Sequence, residues 1–234
     1  MNKLFPVIIL AGGLATRLRP ITNSLPKSLI PIRGRPFIDY QLKYLSEQGI
    51  TDATICLGYL GEQIEAFVKD GSKWELKVTY SYDGVEPIGT GGAIMKALEL
   101  VGKNFFILYG DSFLPVNFYE MQKMYSYSSS PAMMAIIKNE NQWDKSNVIF
   151  KDGKLIKYDK NNPLIEMEFI DYGLTIMDSH TYSKYNLGSD LSSVYSQLSE
   201  DGSLAGYEVF QRFYEVGSKN GIKEFEFYLM QRDL

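Results

Sequence analysis

Ala11-Gly12-Gly13 follows the apolar run 5–10 directly, and Thr16-Arg17, Pro20 and Pro26-Lys27 come next. A glycine turn at the end of a strand lets backbone N–H groups approach a phosphate chain closely. Arg17 and Lys27 add two cations beside that turn, a set suited to a nucleoside triphosphate. Two commoner glycine loops are excluded. No Gly-Lys-Ser/Thr ending follows Gly12-Gly13, as a P-loop requires, and the third glycine of a dinucleotide fingerprint is missing.

The elements that must position these groups read as alternating strands and helices. Strands are expected at about 5–10, 53–58, 76–81 and 105–109. Helices are expected at about 36–48, with Phe37, Ile38, Leu42 and Leu45 on one face, at 61–69 with Ile64, Phe67 and Val68, and at 91–100 with Ile94, Leu98 and Val101. Such alternation implies βαβ units, whose ligands bind at the carboxyl ends of the strands. Both Ala11-Gly12-Gly13 and Gly110-Asp111 fall there, and a carboxylate where a buried strand emerges is suited to Mg²⁺.

The second half is less regular. Asp152-Gly153 is a hairpin turn between 147–151 and 154–158. A strand at about 168–177, a helical region, a short strand Leu204–Val209 and a C-terminal helix at about 218–230 follow. With no repeat or linker, one α/β domain over residues 1–234 is expected, Rossmann-like, with a largely parallel central sheet flanked by helices. Its nucleotide-binding half covers about 1–115. A smaller, irregular β-rich acceptor-binding portion, about 116–234, is expected to lie over the sheet as a wall.

Composition narrows the rest. A net charge of −4 supplies no basic surplus for nucleic acid. Cys56 is the only cysteine and His180 the only histidine, which removes disulfide frameworks and Cys/His zinc sites. A Ser-His-Asp triad would have to use His180, which reads as a surface residue, while Cys56 reads as a small core residue. No signal-peptide core or membrane-length apolar run is present, so a cytoplasmic protein with no membrane partner is expected.

Residues 10–36 resemble the N-terminal consensus of the sugar-1-phosphate nucleotidylyltransferases, LAGGxGTRLxPxTxxxPKxLxPxxxxP. The matching residues are Leu10, Ala11, Gly12, Gly13, Thr16, Arg17, Leu18, Pro20, Thr22, Pro26, Lys27, Leu29, Pro31 and Pro36. Ala15 departs from the family's glycine, so that position must avoid a positive φ. A second block, Glu86–Ala93 (EPIGTGGA), is also similar to the family's. The texture lies nearest the small heptose-1-phosphate guanylyltransferases. Hexapeptide repeats of larger relatives are missing, so no acyltransferase activity is implied.

The resemblance implies a Mg²⁺-dependent enzyme joining an NTP to a sugar 1-phosphate, giving an NDP-sugar for a surface polysaccharide and pyrophosphate. Leu10, Ala11, Gly12, Gly13 and Thr16, with Glu86, Thr90, Gly91 and Gly92, would bind the nucleotide, GTP or CTP being favoured. Arg17 suits the triphosphate and leaving pyrophosphate through its planar fork, and Lys27 bridges the two phosphates. Asp111 and Glu215 would hold the metal; Glu215 stands in FYEVGS where the family has aspartate. On the acceptor side Lys160 aligns with the lysine that meets the acceptor phosphate. Asn147 and Asp171 replace glycine and asparagine, and Tyr172, Gly173 and Ser112 join them, with Trp143 and Asp144 beside. Asp171 sets a negative charge where relatives hold a sugar hydroxyl. A cytidylyltransferase for a phosphocholine-like acceptor and a non-catalytic nucleotide-sugar sensor are the alternatives, and a homo-oligomer stays open.

Overall fold

The computed structural model describes residues 3–14, 16–84, 86–139, 141–185 and 190–232. The first half runs β1 (Val7–Leu10), three short 3₁₀ turns including Thr16–Leu18 and Lys27–Leu29, β2 (Pro31–Ile32), β3 (Arg35–Pro36) and α1 (Phe37–Glu47). It continues through β4 (Asp52–Leu57), α2 (Gly61–Val68), β5 (Lys77–Tyr82), α3 (Gly89–Ala97), β6 (Asn104–Tyr109), β7 (Ser112–Phe113) and α4 (Phe118–Tyr127). The second half comprises β8 (Ala132–Lys138), β9 (Val148–Lys151), β10 (Lys154–Tyr158), β11 (Phe169–Asp178), α5 (Ser179–Tyr185), α6 (Leu191–Glu200), β12 (Leu204–Val209), β13 (Tyr214–Glu215) and α7 (Lys219–Met230).

Strand β1 is apolar throughout because helices cover both faces of the sheet around it. Val7 and Ile9 pack with Ile38, Leu42 and Leu45 of α1, Ile64 and Val68 of α2, and Phe118 of α4. Ile8 and Leu10 point the other way, toward Ala93, Ile94 and Ala97 of α3 and Leu198 of α6. Burying each such side chain stabilises the fold by about 1.5–3 kcal/mol. Strands β4 and β6 flank β1 in parallel, with Leu10 opposite Cys56 and Tyr109, and β5 pairs parallel outside β4. The carboxyl ends of β1, β4 and β6 therefore stop level with one another, and β5 ends beside β4.

The second half departs from the expected wall. Its strands join the same sheet, which has nine strands among the described residues. Strand β11 pairs antiparallel with β6, β8 and β9, and β12 runs parallel to β8. The sheet is thus parallel around β1 and mixed beyond β6. The register of β11 against β8 shifts between Asp171 and Thr175, where Gly173 takes φ +89°. That bulge bends β11 where it reaches the cleft. Helix α7, capped by the Ser218 hydroxyl accepting from the Gly221 N–H, returns Phe225 against Phe37 and Phe113. Cys56 is buried and His180 exposed, as expected. No helix among the described residues is long and apolar enough to cross a membrane.

Candidate active site

Two cavities open at the carboxyl ends of these strands, and Tyr109 lines both. The smaller, about 250 Å³, is walled by Leu10, Ala11, Gly12 and Gly13, by Cys56, Asp83, Pro87, Gly89, Thr90 and Ala93, and at one end by Lys27 and Asp111. Glycine is needed at Gly12 and Gly58, whereas Gly13 has open space around it. A Cβ on Gly58 would lie 2.8 Å from the Gly12 carbonyl oxygen, so the two backbones meet with no room for side chains. The larger cavity, about 460 Å³, holds Arg17, Trp143, Asp144, Lys160, Asp171, Tyr172, Gly173, Arg212 and Glu215.

The charged groups converge between the two. A Cβ on Gly217 would lie 3.6 Å from both Arg17 Nη2 and Lys27 Nζ, and 3.9 Å from Asp111 Oδ2. Lys27 Nζ donates to Asp111 Oδ2 at 2.6 Å. Glu215 on β13 faces Ser112 on β7 in the ladder, and the Val216 N–H donates to the Asp111 carbonyl at 2.9 Å. This two-strand clip sets the second carboxylate beside the first. Glu215 is exposed to the cleft, where desolvation by the surrounding walls raises its pKa; Asp111 pushes the same way, and Lys27 and Arg17 oppose them. An acid whose ionisation is opposed beside a second carboxylate is a place for added positive charge.

Beneath this clip lies Gln41 of α1, buried, whose Nε2 donates to the carbonyls of Tyr109 (2.9 Å) and Ser112 (2.8 Å). It clamps the turn that carries Asp111 from both sides. Gln41→Leu is expected to reduce the unfolding free energy by about 1–4 kcal/mol, because two carbonyls lose partners at about 1–3 kcal/mol each while the buried Oε1, without a partner among the described residues, is removed. Urea unfolding of both proteins measures this, and an unchanged midpoint would refute the clamp.

In the larger cavity the bulge sets Asp171. Its N–H donates to Asn147 Oδ1 at 2.9 Å, and its Oδ1 accepts from the Gly173 N–H at 2.8 Å. Burial pushes the Asp171 carboxyl up to about 6, against the pull of the Gly173 N–H and Lys160. Arg212 lies over Trp143 and Tyr214, 5.5 and 4.9 Å from the ring centroids, and pairs with Glu224 at 2.8 Å. Tyr172, set edge-on to Phe213, buries a hydroxyl without a partner among the described residues.

Several expected residues lie elsewhere. Asn147 is buried behind Asp171 and acts through the hydrogen bond to its backbone. Ser112 is buried too, with its hydroxyl 3.3 Å from Asp111 Oδ1, and lines neither cavity. On α3 the cavity face is Gly89 and Thr90, with Ala93 one helical turn further on. Gly91 points its carbonyl at the Tyr182 hydroxyl, and Gly92 packs on Ile88. Glu86 and Thr16 are exposed outside the cavity, and Ala15 lies outside the described residues. The Thr90 hydroxyl, though at the wall, accepts from the Leu191 N–H at 2.9 Å and so ties α3 to α6. Asp83, Arg212 and Glu224 were not foreseen. The strand-end rule that found Asp111 also reaches Asp83, which follows β5 directly.

The family model described as nucleotidyl transferase matches residues 6–147. The chain belongs to the nucleotidyl transferase family. D-glycero-alpha-D-manno-heptose 1-phosphate guanylyltransferase of Campylobacter jejuni is 34% identical over 145 residues, 62% of each chain. The Aneurinibacillus thermoaerophilus protein of the same name is 33% identical over 153 residues, 64% of this chain and 65% of its own. The matched part thus spans less than two thirds of either relative. Over almost the full length, the fold superposes on a provisionally assigned glucose-1-phosphate thymidylyltransferase of Bacillus anthracis, with a TM-score of 0.85, 19% identity, and coverage of 98% of this chain and 96% of that one. In this nucleotidyl transferase the family match holds Arg17, Lys27 and Asp111 but stops before Lys160, Asp171 and Glu215.

Proposed function

We propose that the protein is a cytoplasmic sugar-1-phosphate nucleotidylyltransferase that makes an NDP-sugar for glycan assembly. The observation that carries this is the meeting of Arg17, Lys27 and Asp111 around Gly217, between a cavity of nucleoside dimensions and a separate polar one. A phosphate oxygen of the acceptor attacks the α-phosphorus of the NTP. A new P–O bond forms there, the bond to the bridging oxygen breaks, and pyrophosphate leaves. Positioning and charge stabilisation supply most of the acceleration in such a transfer.

The chain's residues divide the task. The Ala11–Gly13 turn bears on the nucleotide, Arg17 on the triphosphate and departing pyrophosphate, and Lys27 on the phosphates where the substrates meet. Lys160 lies across the larger cavity, where it draws in the acceptor's phosphate. Asp111 and Glu215 fit Mg²⁺: both are hard oxygen donors, and their mutual repulsion is relieved by a dication. No cluster of three metal-ligating side chains exists among the described residues, which suits an ion completed by substrate phosphates and water. When bound, Mg²⁺ supplies charge neutralisation at the reacting phosphates.

A sugar phosphate is favoured over a phosphocholine-like acceptor because the Arg212 guanidinium already covers the Trp143 face that an onium group would need. Asp171, at the wall of the same cavity, is the residue that selects the acceptor. Asp171→Asn is expected to reorder sugar 1-phosphates by at least about 10-fold in kcat/KM and to leave the NTP ranking intact, since a site built around a polar group rejects analogues that leave it unpaired. The same variant carries a pH signature. With its folded pKa raised, Asp171 binds its proton more tightly folded than unfolded, so wild-type stability falls as pH rises from the ordinary carboxylate range through about 6. The variant lacks that decline, and parallel pH–stability curves for the two proteins would refute the raised pKa of Asp171. The activity itself is tested by pyrophosphate release across four NTPs and a panel of phosphorylated acceptors. Release that requires a sugar 1-phosphate supports the reading, and release with no acceptor, or only with phosphocholine, overturns it.

A further inference from the structure

We propose that Asp83 reads the nucleotide base and that the base it selects is guanine. The inference rests on the reading that an NTP enters the smaller cavity. Asp83 follows the last residue of β5, and its N–H donates to the Leu57 carbonyl at 2.8 Å, which holds it beside the end of β4. Its carboxylate faces the crossing of the two glycine loops. A Cβ on Gly12 would lie 3.1 Å from Asp83 Oδ2, and one on Gly58 3.0 Å. Leu10, Cys56, Pro87 and Ala93 make the neighbouring wall apolar.

No described group donates a hydrogen bond to this carboxylate, whereas Asp39, Asp52, Asp171, Asp178 and Asp190 each accept at least one. Lys96, the cation that acts on Asp83 electrostatically, is committed to the Tyr82 carbonyl. A half-buried carboxylate without a protein donor leaves its acceptor sites to water or to a ligand that brings donors. Burial raises its pKa, the direction expected of an anion with no paired donor.

An ionised carboxylate is acceptor-only, with two parallel oxygens. Guanine presents two adjacent donors on one edge, N1–H and the 2-amino group, so both oxygens are met at once. Cytosine offers its amino group beside the N3 acceptor, so one oxygen is met and the other repelled. Uracil and thymine offer N3–H between two carbonyl oxygens, and adenine an amino group between ring acceptors. The carboxylate therefore both attracts guanine and repels the others, and specificity comes from the repulsion as much as from the fit.

The test measures kcat/KM for GTP, CTP, UTP, ATP and XTP with saturating sugar 1-phosphate, and titrates the Mg²⁺ complexes of non-hydrolysable GTP and XTP analogues calorimetrically, for wild type and Asp83→Asn. Wild type is expected to prefer GTP by at least about 100-fold. Asp83→Asn is expected to lose at least about 100-fold with GTP and to prefer XTP, because xanthine sets a carbonyl beside N1–H and a carboxamide matches that pair. A gain with XTP also shows that the variant is folded. Best turnover of CTP, UTP or ATP by wild type, or GTP kinetics within about threefold in Asp83→Asn, would overturn the role of Asp83 while leaving the transferase reading intact. A guanine-to-xanthine switch in binding without turnover on any acceptor would uphold Asp83 and remove the transferase reading.

Discussion

Arg17→Ala is expected to lower kcat/KM at least about 100-fold while leaving thermal stability almost unchanged. A charge-assisted, bidentate contact made to phosphate as charge develops is worth several kcal/mol, and removing one such donor slows the chemical step by about 10²–10³. Two features of Arg17 make this a large effect. Its side chain is exposed and makes no ion pair or hydrogen bond among the described residues, so nothing in the fold depends on it. Its Nη2 nevertheless stands at the Gly217 position with Lys27 and Asp111, where the two cavities meet. Arg17→Lys should recover only part of the rate, because a point charge lacks the planar fork. Turnover within about threefold of wild type in folded Arg17→Ala would take Arg17 out of the mechanism.

Asp111→Asn is expected to abolish Mg²⁺-dependent turnover, a loss of at least about 10³-fold, and Glu215→Gln to weaken it less. Asp111 is held from every side: Lys27 at 2.6 Å, the Val216 N–H on its carbonyl, and Gln41 on the carbonyls flanking its turn. Glu215 is one link further away, placed by the β7–β13 pairing and by the first turn of α7. A Cβ on Gly221 of that turn would lie 2.0 Å from the Glu215 carbonyl oxygen. The readout besides turnover is Mn²⁺ binding by EPR with a nucleotide present. Asp111→Asn should reduce bound Mn²⁺ markedly and Glu215→Gln partly. Unchanged binding in both variants would show that the ion, if any, sits elsewhere.

What could be read from the sequence divides along physical lines. Strands β1, β4, β5 and β6 and helices α1 to α3 were legible because each is one apolar run or one 3.6-residue stripe, and their strand-end residues Gly12, Gly13 and Asp111 stand at the cavity. Short-range periodicity does not encode the pairing of β11 with three different strands, so the second half was expected as a wall rather than as part of the sheet. The buried Met133–Met134 run of β8 carries no alternation, because that strand is covered on both faces. Within motifs, residue type was legible but direction was not. Gly91 and Gly92 belong to the same block as Gly89 and Thr90, yet the helix turns them from the cavity. Asn147 and Asp171 both differ from their family counterparts, and only the bulge at Gly173 decides that Asp171 faces the cleft while Asn147 braces it from behind. Asp83 is within reach of the strand-end rule though it was not foreseen, and its lack of a hydrogen-bond donor among the described residues belongs to the three-dimensional structure alone.

Joining of the acceptor's phosphate to the α-phosphorus is visible in ³¹P NMR of a running reaction with GTP, Mg²⁺ and a sugar 1-phosphate. The monoester resonance of the acceptor is expected to disappear in step with GTP, pyrophosphate to appear in equal amount, and two mutually coupled diphosphate resonances to grow in for the NDP-sugar. An unchanged acceptor resonance while GTP is converted to GDP and phosphate, or to GMP and pyrophosphate, would contradict that joining.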